Sequence, residues 1–394
     1  MSRPPLTIAI AGCGPCGLAA ALLLHRDGHR VTIFERFETP QPIGSGLMIQ
    51  PTGRAVLREL GLEGALVQAG ARVDRLFGLN EAERTVLDVR YAALDDAAFG
   101  VGIHRASLFG LLHAAAIADG VAIESGRAVS GRDGERLVFE KGERAGPFDL
   151  IVDALGSRSP LAPATGRALA YGALWASLDW PGEGFDPHAL EQRYRAASKM
   201  VGVLPIGTPP GATNPKAAFF WSLRADGLEA WRAAGLDAWK AEVRALWPAT
   251  APLLDGITEP DQLTYAHYTH RTLPHPVEPV LIHLGDAWHS TSPQLGQGVN
   301  MALLDAWALA FALRQRESVA DAVSLAVSLR AGHVRLYQAM SAMFTPVYQS
   351  DSSALPWLRD VIVAPLSKTW PAPAIMAAMV AGIVGSPMRR LGLV

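Results

Sequence analysis

The first 35 residues restrict the fold more than any other part of the chain. Leu6 to Ala11 is a short apolar run rich in β-branched residues and reads as a buried strand. Gly12-Cys13-Gly14-Pro15-Cys16-Gly17 follows it and matches G-x-G-x-x-G. Leu18, Ala19, Leu22 and Leu23 then recur at helical spacing, and Gly28 ends that helix. Arg30 to Phe34 is a second strand. A glycine motif alone is weak evidence. Placed between a strand and a helix inside a βαβ unit, it reads as a dinucleotide-binding turn. Gly12 permits the tight turn, Gly14 lets the backbone approach a pyrophosphate, and Gly17 lets helix and strand pack closely. Pro15 and Cys16 open the helix, whose free N–H groups and partial positive charge suit phosphates.

Glu35 closes the second strand, about 20 residues beyond the turn, where a carboxylate can accept from both ribose hydroxyls of an adenosine. It would repel a 2′-phosphate despite the adjacent Arg36. Cys13-Gly-Pro-Cys16 also spells a thioredoxin-like dithiol. Its cysteines occupy the variable positions of the glycine turn, and a dithiol there would compete with the pyrophosphate for space, so no redox role is expected of them.

Elsewhere the chain divides by character. Hydrophobic residues make up 49% and charged residues 18% of 394, enough for more than one core. Residues 1–168 and 277–318 are expected to form one discontinuous nucleotide-binding domain, with an inserted sheet at about 72–101. Residues 169–276 are dense in aromatics and turn clusters and read as a second, sheet-based substrate domain. Residues 319–394 read as a helical C-terminal region broken at prolines, Pro346 among them. The fold class is therefore α/β, α+β overall. With 35 basic against 37 acidic residues and no run of like charge, nothing marks a nucleic-acid surface. No signal-peptide cleavage pattern follows the first apolar run. The late apolar stretch Ala372 to Gly385 is about 14 residues, short of the roughly 20 that span a bilayer. A cytoplasmic protein is expected, with surface contact through that segment left open.

The glycine turn does not separate NAD from FAD. The segment from Leu281 to Ala306, containing Gly285-Asp286, Pro293, Gly296-Gln-Gly298-Val299-Asn300 and Asp305, resembles the second FAD motif of the flavin monooxygenases typified by para-hydroxybenzoate hydroxylase and the ubiquinone-biosynthesis hydroxylases. The resemblance implies that Asp286 binds the ribityl chain and that Pro293, Gly296, Gly298, Val299 and Asn300 lie at the flavin ring. Gly44-Ser45-Gly46 to Pro51 resembles the family's segment beside the isoalloxazine, and Ile103-His104-Arg105 the place where an arginine meets FAD. Asp149 to Ser159 resembles the third motif, with Leu155 where the family carries Asp, which puts the hydride donor in question. Trp288 stands where the family has a small residue and could alter the wall beside the flavin.

The resemblance implies an FAD-dependent monooxygenase. NADH or NADPH would be its transient electron donor, and oxygen would pass from dioxygen through a flavin hydroperoxide to a small aromatic or apolar, electron-rich substrate. No side chain has to form a covalent intermediate, so no catalytic residue is singled out. Trp175, Phe219, Trp221, Tyr265, His267 and Pro293 are candidates for the substrate pocket, with Tyr268 and His270 as further options on a strand expected from Leu263 to Arg271. His267, His270, His275, His283 and His289 cluster in sequence without the convergence that a metal needs, and no metal is expected. The rival readings are a flavin oxidase of the same fold and a dithiol oxidoreductase using Cys13 and Cys16.

Overall fold

The computed structural model describes residues 4–39 and 45–393. Gly44, expected beside the flavin, lies outside them. The chain begins with β1 (Thr7–Ala11), α1 (Pro15–Arg26) and β2 (Arg30–Phe34). Pro15 occupies the first turn of α1, where a missing N–H breaks no helical bond. Cys16 through Leu24 are all buried, so α1 is a sandwiched helix rather than a surface one.

β3 (Gly46–Ile49), β4 (Arg75–Asn80), β5 (Thr85–Arg90) and β6 (Gly100–His104) lead to α2 (Arg105–Ala118), β7 (Ala122–Glu124) and β8 (Leu150–Asp153). Four long strands follow: β9 (Tyr171–Asp179), β10 (Ala189–Arg195), β11 (Lys199–Pro205) and β12 (Lys216–Arg224). After them come α3 (Leu228–Leu246), β13 (Thr264–Ala266), β14 (Thr269–Thr272), β15 (Val277–Glu278) and β16 (Leu281–His283). The chain closes with α4 (Gly298–Gln315), α5 (Val319–Tyr348) and α6 (Ala372–Ala381), besides shorter turns. Pro346 falls in the last turn of α5 and does not break it.

Two sheets organise the molecule. The nucleotide sheet has the order β15-β16-β8-β1-β2-β7, parallel except for the β15–β16 pair. Ala11, Asp153 and His283 stand in register at the carboxyl ends of β1, β8 and β16, and α1 and α4 pack together over one face. In such sheets ligands bind outside the carboxyl ends of the strands. The second sheet has the order β13-β9-β12-β11-β10-β4-β5. β4 and β5, expected as an insert within the nucleotide domain, extend this larger sheet at one end, with β4 paired to β10 and β5 as the edge strand. Gly78 of β4 shows why they fit there. A Cβ on it would stand 2.7 Å from the Tyr194 ring of β10, so the glycine admits that ring. The strand expected from Leu263 to Arg271 is two strands in different sheets, and His267 and Tyr268 form the break between them.

Candidate active site

One cavity of about 1400 Å³ runs from the carboxyl ends of the nucleotide sheet to one face of the second sheet and on to α6. The glycine turn forms its first end. Gly12 has φ +105°, a left-handed conformation that favours glycine, and a Cβ there would lie 2.6 Å from the Ala154 carbonyl. At Gly17 a Cβ would stand 2.0 Å from the Gly12 carbonyl, so this glycine serves packing and does not line the cavity. Gly14 differs, because a Cβ on it would meet nothing within 4 Å. It would project into open space before the N-terminus of α1, the space a pyrophosphate needs. Pro15, Cys16, Glu35 and Arg36 line the same end. The Glu35 carboxylate accepts from the Cys13 N–H (2.9 Å) and the Phe37 N–H (3.1 Å), which fixes it in place with lone pairs left for hydroxyls.

Asp286 follows β16 and is exposed to the cavity while protein surrounds it on its other sides. Withdrawal from bulk water raises its carboxyl pKa above the ordinary value, with His289 and Arg105 opposing the rise. It accepts no hydrogen bond from any described residue. Pro293, Gly296, Gly298 and Val299 line the wall beside it, with Gly296 in the left-handed conformation at φ +60°. Gly46 and Arg105 complete this middle section, and Arg105 makes no ion pair with any described residue.

Asn300 is placed otherwise than expected. It is buried away from the cavity, its Oδ1 accepts from the Gln50 N–H (2.8 Å), and its Nδ2 donates to the Met48 carbonyl (3.1 Å) and the Gly296 carbonyl (2.9 Å). It therefore clamps β3 to the turn at Gly296. Trp288 is also off the wall, packed with Leu273, Met301 and Tyr337. Leu155 does line the cavity, and the carboxylate expected at its position lies at buried Asp153. Asp153 accepts from the Leu155 N–H (3.0 Å), the Ser159 hydroxyl (2.7 Å) and His283 Nδ1 (2.7 Å), so it shapes the loop rather than facing a ligand.

The second sheet contributes side chains by alternation. Trp175 of β9 and Phe220 of β12 face the cavity with ring centroids 4.6 Å apart. Phe219 and Trp221, one residue away on either side of Phe220, face the opposite way into a core with Trp239 of α3. The expectation that they line the pocket is corrected by that register. Tyr265 is also held outside it, its hydroxyl donating to the Leu223 carbonyl (3.0 Å) and its ring meeting His267 edge-on. His267 and Tyr268 do line the cavity. Trp175 Nε1 donates to the Tyr268 hydroxyl oxygen (2.8 Å), and burial pushes the Tyr268 pKa up to about 12. Tyr268 thus keeps its proton and has it free to donate.

A buried ionic network stands behind the Asp286 loop. Burial alone would raise the Asp305 pKa, but His289 and Arg330 pull it down to about 2. Its carboxylate accepts from the Gly285 N–H (3.0 Å), His289 Nε2 (2.6 Å) and Arg330 Nε (2.8 Å). Arg330 Nη1 donates to His333 Nδ1 (2.8 Å), and His333 Nε2 donates to the Gly382 carbonyl (2.9 Å) just beyond α6. Burial, with Arg330 adding to it, holds His333 neutral with its pKa lowered to about 3. The five histidines of the sequence cluster go to separate places, and among the described residues no three His, Cys, Asp or Glu side chains converge as a metal site.

The residues fit FAD on three counts: open space at Gly14, a positioned Glu35, and an unpartnered Asp286 facing the cavity. The comparisons agree. The model of a family described as FAD binding domain matches residues 6–325. The chain is 27% identical over 384 residues to the aurachin C monooxygenase/isomerase of Stigmatella aurantiaca, covering 92% of this chain and 94% of that protein. It is 29% identical over 343 residues to the 3-amino-4-hydroxybenzoate 2-monooxygenase of Streptomyces cremeus, covering 79% of each. Among solved structures, 2-methyl-3-hydroxypyridine-5-carboxylic acid oxygenase matches with TM-score 0.79 at 20% identity, over 98% of both chains. The PqsL protein of P. aeruginosa with 2-aminobenzoylacetate matches with TM-score 0.78 at 18% identity, over 88% of this chain and 97% of that one. The structural likenesses show the fold.

Proposed function

The chain belongs to the FAD binding domain family, and from that membership we propose that it is an FAD-dependent monooxygenase placing one atom of dioxygen on a small aromatic or apolar, electron-rich substrate. The chemistry supplied by bound FAD is acceptance of two electrons followed by activation of dioxygen. The observation that carries the reading is a single cavity that begins at phosphate-sized space and a carboxylate and ends on aromatic and aliphatic walls. In this reading Glu35 holds the ribose, the N-terminus of α1 the pyrophosphate, and Asp286 the ribityl hydroxyls. The free N–H groups at the start of α4, where Gly298 and Val299 line the cavity, would suit the part of the cofactor that gains negative charge on reduction.

The apolar rings of Trp175 and Phe220 line the reacting end, which suits chemistry that requires water to be kept from it. Tyr268 offers a proton at its Oη to a hydroxyl or carbonyl oxygen of the substrate. NADH or NADPH is the proposed donor, binding transiently because the chain carries one glycine turn of this kind rather than two. The proposed setting is the cytoplasm; no helix among the described residues is long and apolar enough to cross a membrane. The dithiol alternative finds no support in the thiols. Burial, followed by Glu35, raises the Cys13 pKa to about 12, and burial also raises Cys16 well above the ordinary thiol value, so neither is a thiolate at neutral pH.

The test uses holoenzyme, a reduced nicotinamide and labelled dioxygen across a panel of phenols and indoles. One labelled oxygen atom per product molecule is expected, with little peroxide. Peroxide equal to all the oxygen consumed, with no label in any product, would favour the oxidase reading.

A further inference from the structure

The lining of the cavity changes abruptly along its length. Every charged side chain on it, including Glu35, Arg36, Arg105, Arg158 and Asp286, lies toward the nucleotide sheet. Among the described residues, the half beyond Trp175 has none. There Leu76, Val89, Leu190 and Leu204 of the second sheet face Met376 and Val380 of α6. A bore with aliphatic walls on both sides and no cation has nothing to pair with a carboxylate. It offers what a hydrocarbon chain wants, removal of methylene groups from water.

This half also leads outward. Val363, Leu366 and Ile375 line the cavity and are at the same time 50%, 59% and 53% exposed. They are the rim of an opening. The apolar surface continues beyond them to Trp357 (60% exposed) and Trp370 (88% exposed). Of the large hydrophobic side chains that stand exposed among the described residues, all but Val67 and Ile117 belong to the stretch from Met343 to Ile375. Scattered exposed apolar residues need no explanation, but a concentration at the rim of a cavity does. A carboxylated single ring would leave the bore and its rim without use.

We propose that the substrate is an uncharged aromatic ring bearing an aliphatic tail, with the tail running between β5 and α6 and leaving the protein over Leu366 and Ile375. This rests on the monooxygenase reading and specifies its substrate class. The ring sits at Trp175, Phe220 and Tyr268, and the bore selects for chain length.

The experiment titrates holoenzyme with phenol and with 4-ethyl-, 4-butyl- and 4-heptylphenol, reading the dissociation constant from the perturbed flavin absorbance. Affinity should rise about fourfold for each methylene until the chain reaches the rim, and 4-hydroxybenzoate should bind at least tenfold more weakly than 4-ethylphenol. Met376→Trp, which narrows the bore, and Leu366→Glu, which charges an exposed rim position, should each collapse the ratio between heptylphenol and phenol. Leu366 is on the surface, so its variant should fold; flavin content and melting temperature verify this for both. A dissociation constant that stays within twofold from ethyl to heptyl overturns the tail. So does a steep gain that both variants leave intact. In either case substrate-stimulated oxygen consumption by some small aromatic keeps the monooxygenase reading standing. If no phenol perturbs the flavin and none stimulates oxygen consumption, the tail proposal falls together with that reading.

Discussion

The two ends of the cavity are built by different means. At the nucleotide end the working groups are backbone N–H groups, glycines without a Cβ, and two carboxylates just past strand ends, Glu35 directly after β2 and Asp286 three residues after β16. At the other end they are side chains from alternate positions of long strands, facing helices that lie more than 100 residues further along the chain. A cofactor of constant shape can be met by main-chain geometry, which short contiguous motifs encode. A substrate pocket is a surface, and its composition depends on which face of a strand turns inward. A shift of one residue exchanges Phe220 for Phe219.

The largest expected effect breaks or sharpens that contrast at its most sensitive point. Phe219 is fully buried against Trp239 and Trp221. Phe219→Ala should lower unfolding stability by about 3–5 kcal/mol and leave substrate affinity nearly as it was. Phe220→Ala should also cost folding, by about 2–4 kcal/mol, because its ring packs on Trp175, Tyr194 and Met200 as well as facing the cavity, and unlike Phe219→Ala it should raise the fraction of oxygen released as peroxide. Denaturant unfolding and peroxide assays check both. If Phe219→Ala instead uncouples the reaction while Phe220→Ala leaves it coupled, the two faces have been assigned the wrong way round.

That pair of neighbours also shows how far the sequence is legible. The βαβ unit, Glu35, Asp286 and the turn from Pro293 to Gly298 could be read because each combines a short spacing with a stereochemical demand that few residues meet. Trp175 and His267 were found among the aromatic-rich segments, but Phe219, Trp221 and Tyr265 were drawn in with them, because composition does not say which way a strand faces. The β4–β5 hairpin was legible as strands and not as members of the second sheet, since pairing with β10 depends on the fit of Tyr194 against Gly78. Asp153 was visible only as a displaced motif residue. Its partners Ser159 and His283 become evident once β8 and β16 are neighbours. The contribution of α6 had no local signal, as an apolar helix reads the same whether it walls a pocket or fills a core.

At the nucleotide end, Gly14→Val is the sharpest substitution. The added side chain meets no protein atom at its Cβ, so apoprotein stability should change by less than about 1 kcal/mol, but it fills the phosphate space. Losing charged hydrogen bonds of about 1.5–3 kcal/mol each should weaken FAD binding roughly hundredfold or more. Flavin fluorescence during titration of apoprotein measures it. A dissociation constant within threefold of the parent would mean that the dinucleotide does not pass this turn. Asp286→Ala removes one carboxylate rather than a whole cradle. Its expected cost is about 1–3 kcal/mol, or roughly tenfold in FAD affinity, with turnover recovered at saturating FAD. No change in affinity would detach the Asp286 loop from the cofactor and leave it only as a neighbour of Asp305.

The smallest expected effect concerns Cys13 and Cys16, where the two ends of the cavity make opposite demands. A catalytic dithiol needs accessible thiols with depressed pKa values, and a helix N-terminus ordinarily helps to supply them. Here burial works the other way. It raises both thiols, the nearby Glu35 adds to the effect at Cys13, and the surrounding carboxylates Asp305 and Asp286 add to it at Cys16. The Cys16 thiol is spent on a weak contact to the Ala302 carbonyl at 3.5 Å, which seats α1 against α4. Because the neutral thiol is the favoured form up to strongly alkaline pH, iodoacetamide at pH 8 should leave both cysteines of the native holoenzyme unlabelled and modify both after unfolding. The Cys13→Ala/Cys16→Ala protein should keep its FAD and most of its turnover, with a stability loss on the order of 1 kcal/mol from the vacated volume. Rapid alkylation of the native protein, or a doubly substituted enzyme that holds FAD and yet turns nothing over, would move the chemistry from the far end of the cavity to the glycine turn.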